Sequence, residues 1–200
     1  MSKRNLAVLA LAALIGGCGF QLRGTGTSDF ALERLSVDAR NSYGETTRAV
    51  REALESNGVQ PGGRYSLYLA GENEQRRTAS YTAAARSAEQ ELITTVDYQI
   101  QGPQGEPLIT DRVEVRKVYV QDQNNVIGSS QEAEQLREEM RREVVQQLML
   151  RLQYVTPAQL DKLQADAEAR ARAEAEAMEA ARRAQDATPQ SSPLQIPFGN

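Results

Sequence analysis

Residues 92–120 alternate apolar and polar side chains on both sides of a turn sequence, which restricts the chain to a sheet that contains an antiparallel hairpin. The first strand places five side chains on one face: Leu92, Thr94, Val96, Tyr98 and Ile100. Gly102-Pro103-Gln104-Gly105 supplies the turn, and residues 108–120 return antiparallel. In the return strand Val113 and Val115 occupy odd positions, whereas Val118 and Val120 occupy even ones. This change of phase predicts a bulge or twist near Arg116 and Lys117.

Further strand and helix patterns flank the hairpin. Residues 33–37 alternate and predict a short strand, and residues 45–57 are typical of an amphipathic helix that stops at Gly58. Residues 65–80 predict a second strand whose polar half extends into solvent, and the β-α-β order favours a parallel pair. From Ser129 an apolar stripe at steps of three and four predicts a helix that covers the sheet: Ala133, Leu136, Met140, Val144, Leu148, Leu152 and Val155.

These elements predict an α+β domain over residues 28–155, in the order β-α-β-β-β-α. Two helices packed on one face of a four-stranded mixed sheet is the layered arrangement that this order favours. Residues 156–187 form a charged extension rich in Ala, Glu and Arg, which has helical propensity but little to bury beyond Leu160 and Leu163. Residues 188–200 contain three prolines and predict a disordered tail.

The amino terminus has the three-part plan of a bacterial export signal. Two basic residues precede an apolar run of about ten residues, too short to span a bilayer as a helix. Ile15-Gly16-Gly17-Cys18 resembles a lipobox, so we predict that residues 1–17 are a lipoprotein signal peptide and that Cys18 carries the lipid. Residues 18–27 would then be a lipidated linker, with several acyl chains as a stable anchor. Gly19, in place of Asp after the cysteine, favours the outer membrane.

Composition excludes much of the catalytic repertoire. The 200 residues include no histidine and one cysteine, so no imidazole base, His-ligated metal or paired-cysteine site is available. The carboxylates Glu138-Glu139 fall outside the apolar stripe, on solvated helix faces. The formal net charge of −4 provides no global basic field for nucleic acid. We therefore expect a protein that is not an enzyme and that uses no metal, cofactor or nucleic acid.

The segment that follows the predicted lipidation site, Cys18-Gly19-Phe20-Gln21-Leu22-Arg23-Gly24, closely resembles the opening of the LPS-assembly lipoprotein LptE family, also called the rare lipoprotein B family. Further segments are similar to its first helix, its glycine stop and its second and third strands: residues 47–54, 57–59, 78–80 and 88–89. The resemblance covers about residues 18–155.

This resemblance implies a plug inside the lumen of the outer-membrane β-barrel LptD, in a 1:1 complex, with its domain on the periplasmic side. It also implies help in assembling the barrel and in delivering lipopolysaccharide to the outer leaflet. Exposed residues suited to barrel contact are Tyr81, the 102–107 turn and the 122–125 loop. Because a barrel lumen is polar, a plug surface resembles ordinary soluble surface.

Recognition of lipopolysaccharide phosphates would require Arg and Lys side chains. The candidate residues are Arg76 and Arg77 late in the second strand, Arg86 in the next connection, and Arg112, Arg116 and Lys117 on the fourth strand. Family members carry basic residues in that connection and before the last helix, but here residues 81–85 and 124–130 are uncharged and only Arg86 is basic. An ordinary solvated strand face is the alternative interpretation.

Two other functions remain open from the sequence. One is a lipid-anchored periplasmic ligand-binding module, for example an auxiliary component of an inner-membrane transporter, which membrane fractionation would distinguish. The other assigns the Ala/Glu/Arg extension as an interaction helix that reaches peptidoglycan or another chain, which deletion of residues 160–200 would test.

Overall fold

The computed structural model describes residues 30–81, 87–122 and 124–187. Its elements are β1 (Ser36–Ala39), α1 (Glu45–Ser56), β2 (Ser66–Tyr81), β3 (Ser87–Gln101), β4 (Pro107–Asp122), α2 (Val126–Leu152) and α3 (Pro157–Ala187). This order confirms the predicted α+β fold and its helical extension. The predictions for the signal peptide, Cys18, the linker and the tail from residue 188 lie outside the described residues. No helix in these ranges is long and apolar enough to cross a membrane.

The four strands form one mixed sheet in chain order. β1 runs parallel to β2, with Ser36 opposite Ser66 and Ala39 opposite Leu69, and α1 is the crossover that a parallel pair requires. The β2–β3 and β3–β4 pairs are antiparallel, and the β3–β4 pair is the hairpin that the turn sequence predicts. β1 pairs with only the first four residues of β2, so the sheet is four strands wide over that short length and three strands wide beyond it.

The core lies between the sheet and the helices α1 and α2. Five residues of the apolar stripe on α2 are buried, among them Met140, Val144 and Leu148, and Leu136 is partly buried against the same cluster. Val50 and Leu54 of α1 are buried beside them. Each such side chain contributes about 1.5–3 kcal/mol on leaving water, so this layer provides most of the driving force for folding.

β4 corrects one prediction. Its pairing with β3 is regular through the predicted bulge, with Ile93 opposite Arg116 and Leu92 opposite Lys117. Val113 and Val115 face the helices and are buried, whereas Val118 and Val120 lie on the other face, 56% and 49% exposed. The change of phase was misread as a break in pairing because a regular strand can also carry apolar residues on its solvent face.

Two helix ends follow from local sequence. Gly58 takes the left-handed conformation at φ 83° just beyond α1, and the N–H of Val59 donates to the carbonyl of Leu54 at 3.0 Å, which confirms the predicted stop. α2 begins at Val126, three residues before the predicted start, because the Asn125 side chain accepts from the N–H of Gly128.

The extension α3 is a helix of 31 residues that contacts the sheet near its start. Leu160 and Gln164 are its buried residues, and Leu163 is partly buried. Asp161 accepts a hydrogen bond from the Tyr65 hydroxyl and lies 3.2 Å from Arg64. All residues from Glu168 to the end of α3 are exposed, which agrees with the absence of an apolar face in the sequence.

Candidate functional site

The structure separates the predicted basic residues between the two faces of the sheet. Side chains of residues directly opposite each other on paired strands share a face. Arg76 and Lys117 both lie opposite Leu92, on the face that the helices cover. Arg77, Arg112 and Arg116 lie on the other face, which we call the open face: Arg77 and Arg112 are opposite Glu91 and Asp97. Arg86 lies outside the described residues.

Four of these five basic residues already have a carboxylate partner. On the open face Arg112 Nε lies 2.7 Å from Asp97 Oδ1, Arg116 Nε lies 2.7 Å from Glu114 Oε1, and Arg77 pairs with Glu91. On the helix side, Lys117 Nζ lies 3.0 Å from Glu143 of α2. Exposed pairs of this kind exchange readily with solvent and with other anions, so each cation can still be recruited at low cost.

Arg76 differs from these four residues. It has no ion-pair partner among residues 30–81, 87–122 and 124–187. It lines a shallow depression on the helix side together with Tyr119, Gln121, Ser129 and Arg137. Arg137 is itself paired with Glu74 at 2.9 Å, and this pairing raises the pKa of the Arg137 guanidinium. Arg76 is therefore the predicted cation that is most available to an anionic ligand.

Exposed apolar side chains gather at the same end of the molecule. We call the set of Tyr81, Val118, Val120, Val126 and Ile127 the apolar tip; Ile127 is 77% exposed and Tyr81 72%. The register divides its strand members between the two faces of the sheet: Tyr81 lies opposite Ala88 on the helix side, whereas Val118 and Val120 lie opposite Glu91 and Glu89 on the open face. Five of the nine exposed large hydrophobic residues in the described part of the chain lie at this end of the molecule, and Val118 and Val120 are neighbours on one face of β4.

The start of α2 is fastened to the end of β4, and this fixes half of the apolar tip. The Ser129 hydroxyl donates to the carbonyl of Asn125 at 3.0 Å and accepts from the N–H of Asp122 at 3.0 Å. A side chain at Gly128 would lie 2.4 Å from the Asn125 amide nitrogen, so only glycine allows that cap to close. Val126 and Ile127, in the first helical turn, are therefore held outward beside the end of the sheet.

The sequence predicted the basic residues of this candidate site, and it did not indicate the apolar ones. Val118 and Val120 were interpreted as evidence of a bulge, and Val126 and Ile127 were not singled out. The available signal was the pair of β-branched residues at even positions in β4, which lie opposite the acidic residues Glu91 and Glu89 of β3. On the open face Arg77 and Val118 flank Glu91, so a cation lies close to an exposed apolar side chain. This arrangement suits an amphiphile with anionic groups.

A cavity of about 590 Å³ lies elsewhere, between the β1–α1 connection and β2. It is lined by Thr46, which donates to Glu72 Oε1 at 3.0 Å, and by Glu74. Its two carboxylates, Glu72 and Glu74, outnumber its one cation, Arg40, so its lining carries a net negative charge. In the described ranges no group of three carboxylate, thiol or imidazole side chains is placed to hold a metal ion.

The chain is similar to known proteins over most of its length. A family model described as LptE, lipopolysaccharide-assembly, matches residues 32–152. The chain is 28% identical to the LPS-assembly lipoprotein LptE of Yersinia enterocolitica, over 97% of this chain and 93% of that protein. It is 29% identical to the protein of the same name from Yersinia pestis strain Pestoides F, over 91% of this chain and 87% of the relative.

Solved structures give a consistent result. The crystal structure of the rare lipoprotein B from Shewanella oneidensis is similar at a TM-score of 0.53 and 29% identity, covering 60% of this chain and 92% of that one. The solution structure of an uncharacterized lipoprotein B from Nitrosomonas europaea has a TM-score of 0.53 at 18% identity, over 69% of this chain and 90% of that chain, which shows a shared fold.

Proposed function

Because the chain belongs to the LptE family of lipopolysaccharide-assembly proteins, we propose that it is an outer-membrane lipoprotein that plugs the LptD β-barrel and helps it assemble. The observation that carries this proposal is the family match over residues 32–152, which spans the whole sheet and both core helices. The family is non-enzymatic. In this role the protein forms a 1:1 complex with the barrel and assists the insertion of lipopolysaccharide into the outer leaflet.

The open face supports a position inside a barrel. It presents the ion pairs Arg112–Asp97 and Arg77–Glu91 in a row that runs along the sheet. The inner wall of a transmembrane barrel is polar, because the strands alternate lipid-facing and lumen-facing side chains. Polar side chains on both surfaces allow close contact without the cost of burying unpaired groups.

The apolar tip and its cations support direct contact with lipopolysaccharide. This lipid presents phosphates and acyl chains together, so a site for it requires donors beside an apolar surface. Arg77 and Arg116, on the open face with Val118 and Val120, would exchange their carboxylate partners for phosphates. Arg76 would bind a phosphate in the depression on the helix side. Val118 and Val120 would contact the first methylenes of the acyl chains.

Extraction in mild detergent followed by pull-down of the tagged chain tests the barrel proposal. We expect an equimolar complex with a large β-barrel from the outer-membrane fraction. Cys18→Ser is the matched variant, since it removes the proposed lipid without changing the folded domain, and it should release the protein from the membrane when the barrel is depleted. Recovery of the chain alone from membranes that contain the barrel would contradict the proposal. Fractionation with the inner membrane would favour the transporter-associated alternative.

Lipopolysaccharide binding has its own test with a matched pair of variants. Val120 and Leu150 are each 49% exposed, but only Val120 belongs to the apolar tip. Val120→Asp should weaken binding of purified lipopolysaccharide about tenfold by placing a carboxylate beside the lipid, whereas Leu150→Asp should leave it unchanged. Equal effects of the two variants, at equal thermal stability, would exclude the tip as the binding surface.

A further inference from the structure

The depression on the helix side that Arg76 lines also contains a buried tyrosine. Tyr119 is 4% exposed, yet its hydroxyl has no hydrogen-bond partner among residues 30–81, 87–122 and 124–187. The hydroxyl is not sealed in the core, because the one fully buried side-chain polar atom without a partner in these ranges is Oε1 of Gln164. Buried tyrosine hydroxyls usually find a hydrogen-bond partner. Tyr119 therefore presents an unused donor to the depression.

The sheet and α2 together build the depression. Tyr119 and Gln121 lie on the helix side of β4, and Arg76 lies on the same side of β2. The opposite wall belongs to α2, where three lining residues are spaced four apart and so share one helix face: Ser129, Ala133 and Arg137. The volume is about 250 Å³, below the roughly 300–1,000 Å³ of pockets that enclose a drug-sized ligand. The depression therefore suits one group of a ligand rather than a whole lipid.

Three side chains of the lining are available to a ligand. Within the part of the chain that the structure describes, Arg76 has no ion-pair partner and the Gln121 amide has no hydrogen bond. The Tyr119 hydroxyl is the third. The two serines of the lining already donate to main-chain carbonyls at the start of α2, at 3.0 and 2.8 Å. Arg137 is held by Glu74 and Glu134, so Arg76 is the cation that can accept an anion without breaking an ion pair.

We propose that the depression binds one phosphate monoester group, with Arg76 as its ionic partner and the Tyr119 hydroxyl as a donor to an oxygen that Arg76 leaves free. A phosphate monoester carries about −1.5 to −2 charges at pH 7 and three strongly accepting oxygens. The planar guanidinium holds two of these oxygens, as it also holds a carboxylate. The third oxygen distinguishes phosphate from carboxylate, and Tyr119 and Gln121 are placed to bind it. Tyr119 is therefore the residue that determines this specificity.

This inference deepens the proposed function, on which it rests for the source of the phosphate, namely lipopolysaccharide. The depression is separated by the sheet from Val118 and Val120, which lie on the open face. Its phosphate is therefore a different one from any that Arg77 and Arg116 recruit on that face.

Titration of the full-length chain in detergent with inorganic phosphate, followed by nuclear magnetic resonance, tests the site. Phosphate should shift the amide signals of Tyr119 and Gln121. Arg76→Gln should weaken phosphate affinity about tenfold, because it removes the ionic partner. Arg142→Gln is the matched control: it makes the same change in net charge at an exposed residue of α2 outside the depression, and should leave the affinity unchanged. Equal losses in the two variants, or no shift up to about 50 mM phosphate, far above a millimolar Kd, would overturn the proposal.

Tyr119→Phe tests the specificity, with acetate as the carboxylate probe. Loss of the hydroxyl should lower phosphate affinity about fivefold and leave acetate affinity unchanged, while the retained ring preserves the packing. Tyr68→Phe is the matched control, since Tyr68 lies on the open face opposite Gln99 and its loss of a hydroxyl should change neither affinity. Equal effects of the two variants at equal thermal stability, or equal loss of phosphate and acetate affinity in Tyr119→Phe, would overturn the proposal.

Competition with lipids identifies the source of the phosphate. Displacement of inorganic phosphate by purified lipopolysaccharide, but not by the same lipid after enzymatic removal of its phosphates, would support the lipid source. Displacement by neither form would assign a free phosphate to the site, and equal displacement by both would overturn the proposal. The pull-down separates this inference from the proposed function: loss of phosphate binding with an intact barrel complex contradicts only the inference, and phosphate binding by a chain that recovers no barrel contradicts only the function.

Discussion

Replacing Leu160 by alanine is expected to release α3 from the sheet while the four strands remain folded. Leu160 is fully buried, and Gln164 is the other buried residue in the 31 residues of α3. Removal of a fully buried leucine side chain costs about 3 kcal/mol, because both the transfer free energy and the contacts around the new cavity are lost.

The remaining contacts of α3 are too weak to compensate for this loss. The ion pair between Arg64 and Asp161 joins side chains that are 56% and 55% exposed, and such a pair contributes at most about 1 kcal/mol. The hydrogen bond from Tyr65 to Asp161 adds about 1–2 kcal/mol. Undocking of α3 therefore costs less than unfolding of the sheet, whose core is built from α1, α2 and the strands.

Hydrogen exchange measured residue by residue distinguishes release of α3 alone from unfolding of α3 together with the sheet. In Leu160→Ala, amides of residues 157–167 should lose protection while those of β2, β3 and β4 keep it. Met178→Ala is the matched control on the same helix; its side chain is 74% exposed, so stability should change by less than about 0.5 kcal/mol. Equal loss of protection in α3 and the strands would show that α3 belongs to the cooperative core, and the reasoning would be wrong.

Three further predictions concern the same region and the edge of the sheet. Burial and the hydrogen bond to Asp161 raise the pKa of Tyr65 to about 12 from 10.0. The stability that neutral Tyr65 contributes is therefore present below pH 10 and is lost between about pH 10 and 12. Tyr65→Phe should remove this pH dependence from the free energy of unfolding measured between those two pH values. Gly102→Ala would place a Cβ 2.1 Å from the Gln164 side chain and should cost about 1–2 kcal/mol in thermal melts, whereas Gly71→Ala, with nothing within 4 Å, should cost much less. Burial alone would raise the pKa of Asp111, but the hydrogen bond from the Arg112 N–H and attraction to Arg151 lower this pKa overall. The stability that ionised Asp111 contributes is therefore lost as the pH falls below about 4. Asp111→Asn should remove that acid sensitivity from the free energy of unfolding.

The elements were predictable from sequence where a local pattern determines them. The alternation in β3, the turn at residues 102–105 and the stripe on α2 each fix one element and its buried face. Gly58 fixes the end of α1 in the same way. These features depend only on residues that are close together in the chain, so they can be recognised from one sequence without knowledge of the tertiary contacts.

The candidate site was only half predictable because it depends on which strands become neighbours. Arg76 and Lys117 are 41 positions apart in sequence, and only the register of β3 places both beside Leu92. The exposure of Val118 depends on the helices covering the other face of β4, which the alternation within β4 alone does not reveal. Likewise, no local pattern shows that β1 stops after four residues, so that among the described residues the rest of β2 has a neighbouring strand on one side only.

The exposed part of α3, residues 168–187, also affects how the whole molecule tumbles. Residues 168–187 are exposed helix, which at 1.5 Å per residue extends about 30 Å beyond the last partly buried residue, Ala167. A small domain with a rigid arm of that length rotates more slowly about axes perpendicular to the arm than about the arm itself. Its amides should therefore show orientation-dependent nuclear relaxation, and a partner bound at Ala187 would be held about three nanometres from the sheet.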